Sequence, residues 1–290
     1  MCIDMISIPI AVYNGLFEWQ LDLFWRQHRR VYGKDAYEKT LAVVIERNRL
    51  TENKCTSFQW KIDIPRKLCL AHFDYAPESS QDYFMPLNIQ AGLSQVIDMF
   101  DEEEIIELLD CDMFHIKCFH EEEINDDEFF VSSIYENWHL KSLSTNKHIV
   151  QKYLNPNNCG YIGGFVPIIG KAKTFKKILN NWTDLHIKMV NDHLGGNFEL
   201  IRWWCGMYSF QAACANNNIK MIDRDWVHTP PENKLVDSHY VCHYSCDKTF
   251  DKKRFPRTNP DFYPKNDYYD AIKEWFISWN DRKKTFKLFV

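Results

Sequence analysis

Short apolar runs of strand length alternate with helix-patterned segments along the first half of this 290-residue chain, and that alternation restricts it to an α/β architecture. Ile3 to Tyr13 is apolar and β-branched and stops at Asn14-Gly15, which predicts a buried first strand running into a loop. Leu16, Trp19, Leu23 and Phe24 then recur at helical spacing, with Arg26, Arg29 and Arg30 in the closing turns, where the helix dipole favours cations. Leu41 to Ile45 and Leu68 to Phe73 read as two more strands, Asp74 to Met85 as a polar and aromatic loop, and Leu87 to Phe100 as a helix. A strand over Ile105 to Leu109 leads into Asp110-Cys111-Asp112, and Met113 to Lys117 alternates like a strand again. The acidic residues Glu121 to Glu123 and Asn125 to Glu128 read as a solvated excursion. Further on come an apolar strand from Tyr161 to Ile169, a helix from Ala172 to Val190, a second helix from Phe198 to Ala215 opened by Gly195-Gly196, and a late strand from Tyr240 to Tyr244. The expected fold is a Rossmann-type mixed, mainly parallel sheet flanked by helices. No repeat, low-complexity tract or linker divides it, so residues 1–290 are expected to form one domain.

Charge and cysteine usage narrow the function classes. A formal net charge of −5 does not suit a surface built to neutralise phosphate backbones, so nucleic acid is not an expected partner. Ten cysteines, scattered without a repeating C-x-x-C spacing, read as reduced core thiols rather than a disulfide framework or a zinc site. Neither a signal peptide nor a stretch long and apolar enough for a membrane span is found, which points to the cytoplasm.

Asp110 and Asp112 carry the first chemical signal. In extended chain, residues two apart point to the same side, so both carboxylates can address one hard cation beyond the end of the preceding strand. A second D-x-D occurs at Asp223 and Asp225 but lacks an apolar strand before it. His243 lies in an apolar run expected to reach a sheet edge; neutral imidazole is a compatible ligand for manganese, though such a histidine also serves as a hydrogen-bonded core residue, the reading kept for His228 and His239. Gly163-Gly164 gives up side chains inside a strand, as a bulge or as a place for close approach of a ligand. Glu199, opening a helix, and Asp192 nearby are candidate catalytic carboxylates, and Glu199 serves the helix dipole equally well. Trp203-Trp204, Tyr208 and Phe210 suit core packing or a sugar platform. Lys248 is a cation five residues beyond His243 that can face a diphosphate.

Several of these blocks resemble the plant hydroxyproline O-arabinosyltransferases and peptidyl serine galactosyltransferases. The resemblance runs from about Tyr83 to Asp247: Asn88 to Val96, the strand into Asp110-Cys111-Asp112, Met113 to Lys117, Gly163 to Ile178, Gly206-Met207-Tyr208-Ser209-Phe210, Trp226 to Pro231 and His243-Tyr244. It implies a GT-A fold, a divalent cation (Mn²⁺ or Mg²⁺) held by Asp110, Asp112 and His243, and a nucleotide-sugar substrate, UDP-linked, with Gly163 and Gly164 beside the donor sugar; Tyr13, Asn88 and Lys248 are further expected contacts of that substrate. Residues 1–119 would form the nucleotide-binding half and 120–290 the acceptor-side half. The chain departs from the family at Gly206, where an acidic residue is expected before Met-Tyr, which leaves Glu199 and Asp192 as the substitutes. The resemblance favours transfer with retention; an inverting reaction with one of those carboxylates as base is the alternative. The acceptor, a glycan or a protein, is not specified, and the Asn-, Lys- and Cys-rich composition suits a microbial or large-virus enzyme. Two rival readings are a nucleotidyltransferase and a sugar-nucleotide-binding protein of the same fold that has lost catalysis.

Overall fold

The computed structural model describes residues 4–12, 15–46, 62–70, 87–120, 123–132, 152–154, 165–192, 198–228 and 236–243. In chain order, β1 (Met5–Val12) is followed by helix α1 (Gly15–Tyr32), β2 (Ala42–Glu46), β3 (Arg66–Leu70), α2 (Leu87–Ser94), β4 (Ile105–Asp110) and β5 (Met113–His115). The second half holds β6 (Glu128–Ser132), β7 (Phe165–Lys171), α3 (Ala172–Asp192), α4 (Phe198–Asn216), β8 (Lys220–Arg224), β9 (Val227–His228) and β10 (Val241–His243).

Seven strands form the main sheet in the order β3-β2-β1-β4-β7-β6-β8. Only β7 runs against its neighbours, so the sheet is mixed and mainly parallel, the architecture expected from the alternation of strands and helices. β2 and β3 are added to one side of β1, whereas β4 crosses to the other side. The carboxyl edge between β1 and β4 is therefore a topological switch point, where open α/β sheets leave a crevice for ligands.

Both faces of the sheet are covered. On one, Gly92 of α2 packs directly on Ile10, Val43 and Ile45, and Phe129 of β6 meets Phe175 of α3 and Phe210 of α4. On the other lie α1 and a second, three-stranded sheet in the order β5-β10-β9. There Phe130 of β6 meets Trp226, which stacks edge-on against Phe119 and Tyr240. The described cysteines are free thiols and all but Cys118 are buried. Tyr208 and Phe210 are fully buried, which is the core use of those rings.

Three strands were not legible in the sequence. β6, β8 and β9 are short and take strand form through distant pairing partners rather than through a local pattern. The acidic excursion ends one residue earlier than expected, because Glu128 already pairs with Lys220 in the sheet. The expected helix Leu87 to Phe100 stops at Ser94 and continues as a short 3₁₀ turn at Ile97–Met99.

Burial also gives stability a pH dependence. His186 of α3 is fully buried, its Nδ1 accepts a hydrogen bond from the Gln90 side-chain amide (Nε2, 2.8 Å), and burial holds its imidazole at about 3. An imidazole with a depressed pKa contributes its full share above the unfolded value near 6.5 and loses it as pH falls toward 3, because only the unfolded chain takes up the proton. Between pH 7.5 and pH 5, urea denaturation should show wild type losing about 2 kcal/mol more than His186→Gln, which keeps a hydrogen-bonding group without the titration.

Candidate metal centre

Asp110 is the last residue of β4 and lies opposite Ile10 of β1, at the switch point. The chain turns through Cys111 and Asp112 into β5, and Cys111 is anchored by its thiol donating to Gln20 Oε1 of α1 at 3.0 Å. β10 returns antiparallel to β5 with His243 opposite Met113. Because Met113 follows Asp112 directly, that register delivers the imidazole to the D-x-D turn. His243 Nε2 lies 3.3 Å from Asp112 Oδ1. One ligand atom each from Asp110, Asp112 and His243 fall within 4.8 Å of one another.

That spacing fits a divalent cation. Oxygen ligands sit roughly 2.0 to 2.6 Å from magnesium or calcium, so two donors of one ion are at most about 5 Å apart. Two hard carboxylates and one imidazole suit a cation of the magnesium–manganese type and differ from the thiolate-rich sets of structural zinc. His243 is buried and the two aspartates are partly exposed, so the donor set opens to one side. The sequence placed His243 at a sheet edge; it stands instead at the end of the central strand of the small sheet, with β5 beside it and β9 pairing only the two residues before it.

The second D-x-D does not form part of this group. Asp223 pairs in β8 opposite Val131, and Asp225 Oδ1 accepts a hydrogen bond from His239 Nε2 at 3.2 Å. His239 Nδ1 in turn accepts from the Val236 N–H, so this histidine is a hydrogen-bonded structural residue, the bland alternative raised from its sequence context.

The helices carrying the other candidates lead to the same edge. The Ala172 N–H donates to Glu104 O beside the start of β4, so α3 runs from the opposite edge toward the carboxyl ends and finishes there at Asp192. α4 begins on that side and descends to β8, which starts level with Glu128. Asp192 is exposed and accepts a 2.8 Å hydrogen bond from the Tyr153 hydroxyl. Burial and the adjacent Asp192 push the Tyr153 phenol well above its ordinary pKa, so it acts as a donor. Glu199 lies in the first turn of α4 and Asn88 in the first turn of α2; their side chains lie outside the described residues, as do Tyr13, Gly163, Gly164 and Lys248 altogether. Gly206 is buried, and its carbonyl accepts the Trp182 indole N–H from α3 at 3.0 Å.

The sequence reading missed a buried polar group next to this site. Glu107 is fully buried and is approached by Ser7 Oγ, His115 Nε2 and the Tyr240 hydroxyl. The signal was available: one carboxyl group inside the apolar strand Ile105-Ile106-Glu107-Leu108-Leu109 requires buried partners.

No protein-family model matches the chain, and none of the curated proteins compared with it matches either. Solved structures do. A galactosyltransferase, LgtC, crystallised with donor and acceptor sugar analogues, superposes with a TM-score of 0.54 at 8% identity, over 94% of this chain and 96% of that one. The bifunctional glycosyltransferase WbbM in its apo form superposes with a TM-score of 0.53 at 9% identity; the match takes in 94% of this chain and about half the length of WbbM. At such identities the shared property is the architecture, and no helix among the described residues is long and apolar enough to cross a membrane. The chain has the fold of GT-A-type glycosyltransferases.

Proposed function

We propose that this chain is a metal-dependent glycosyltransferase that moves a sugar from a uridine diphosphate donor to a glycan or protein acceptor, with retention of configuration. The observation that supports the reading is the convergence of Asp110, Asp112 and His243 at the switch point of a GT-A-type sheet. Bound there, a divalent cation would supply Lewis-acid stabilisation of the charge that develops on a leaving diphosphate. The protein's part is to hold both carboxylates and the imidazole on one side of the β4–β5 turn, open to a ligand, so that little reorganisation is needed as charge builds. Asp192 and Glu199 are proposed as the catalytic carboxylates, on helix ends that face the same edge. Residues 1–119 are proposed to hold the nucleotide and 120–290 the acceptor.

The test is incubation of the purified chain with a panel of nucleotide sugars and Mn²⁺. Hydrolysis of a UDP-sugar that stops on adding EDTA supports the reading. Turnover of nucleoside triphosphates would favour a nucleotidyltransferase, and nucleotide binding without turnover a fold that has lost catalysis; either result sinks the proposal.

A further inference from the structure

Glu107 joins the elements that deliver the three candidate ligands. It stands three residues before Asp110 on β4; its partner His115 stands three residues after Asp112 on β5; its partner Tyr240 stands three residues before His243, at the entry to β10. His115 Nε2 lies 2.9 Å from Glu107 Oε2, the Tyr240 hydroxyl donates to Oε1 at 2.9 Å, and the Ser7 hydroxyl of β1 donates to Oε2 at 2.6 Å. His28 of α1 extends the chain, its Nδ1 3.1 Å from His115 Nδ1. Glu107, His115, Tyr240, Ser7 and His28 are all buried.

Apolar side chains of similar volume would hold the two sheets together at least as firmly, since a buried charged or polar group gains little over a well-packed hydrophobic one. What the polar group adds is direction. A one-residue slip of β10 along β5 would move His243 by about 3.3 Å and turn it to the other face. Such a slip would pull Tyr240 off Glu107 and leave a buried carboxyl group short of a donor, which is costly in the interior. A site of this kind needs its groups held to within about 0.5 Å.

We propose that Glu107, with Ser7, His115 and Tyr240, is a positioning device that sets the register of β4, β5 and β10 and thereby preorganises Asp110, Asp112 and His243 for a divalent cation. The proposal rests on the metal reading above. They act through the strands that carry the three ligands.

The test is Mn²⁺ affinity of the full chain, followed by loss of the free-ion EPR signal and needing no turnover. Tyr240→Phe, which keeps the ring and removes only the hydroxyl, should weaken Mn²⁺ binding about tenfold, the lower end of what loss of outer-shell support costs a metal site. Glu107→Gln should weaken it at least as much. Trp182→Phe is the control: it breaks the indole hydrogen bond between α3 and α4, away from the network, and should lower the melting temperature without changing Mn²⁺ affinity. If Glu107→Gln does not fold, Tyr240→Phe and Ser7→Ala decide the matter. Wild-type affinity in the folded network variants overturns the proposal and leaves the metal reading standing. Equal weakening in Trp182→Phe also overturns it, by reducing the network to general stability. Absence of Mn²⁺ binding in wild type overturns both.

Discussion

Asp112→Asn is expected to lower donor turnover by roughly 10²- to 10³-fold, the usual consequence of removing one group that stabilises charge in a transition state. The fold should survive. Asp112 lies in the turn between β4 and β5, its side chain is partly exposed, and asparagine has nearly the same shape. What changes is the donor set: one hard anionic ligand becomes a neutral amide, and His243 loses the carboxylate 3.3 Å from its Nε2. Binding of Mn²⁺ should weaken in parallel, while circular dichroism and the melting temperature stay close to wild type. The matched control is Asp225→Asn in the other D-x-D. Asp225 is 71% exposed and engages only His239 among the contacts described, so turnover should change by less than about twofold, within the range of ordinary surface substitutions. Equal losses in both variants would show that the D-x-D at the β4 edge has no special role.

The largest stability loss is expected for Phe129→Ala, about 3–5 kcal/mol in urea denaturation. Phe129 is fully buried on β6, its ring 4.6 Å from that of Phe175 and 5.5 Å from that of Phe210, so it joins the sheet to α3 and α4 at once. The same ring lies against Gly170 of β7, where a Cβ would overlap it, so the glycine is the hole into which this knob fits. Truncation removes the apolar area and leaves a cavity that a strand held between β7 and β8, beneath both helices, cannot close. Against a total stability of about 5–15 kcal/mol, the loss is a large fraction, and expression of soluble protein should fall with it. A loss below about 1 kcal/mol would mean that these helices do not pack on β6 as described.

Much of the architecture was readable because it rests on periodicity. The strand–helix alternation from Met5 to Phe100 identifies α/β, and the helix expected over Phe198 to Ala215 is observed over Phe198–Asn216. β6 and β8 were hidden because strand pairing is a long-range property: Glu128 to Ser132 becomes a strand through Lys220 to Arg224 on one side and β7 on the other, and no local feature announces those partners. The D-x-D was legible as a pair because two-residue spacing is local. His243 stood apart from it by more than a hundred residues, and its own apolar run suited a core histidine equally well.

The residues themselves thus determined the layer type, the paired aspartates and the requirement that Glu107, a carboxyl group in an apolar strand, find partners. Strand order and register were decided only by the tertiary structure: which side of β1 receives β4, and which residue of β5 faces His243. The physical reason is that backbone hydrogen bonds between strands are chemically alike at every register. Choice among registers falls to the side chains that meet across them, and those meetings exist only once the chain has folded.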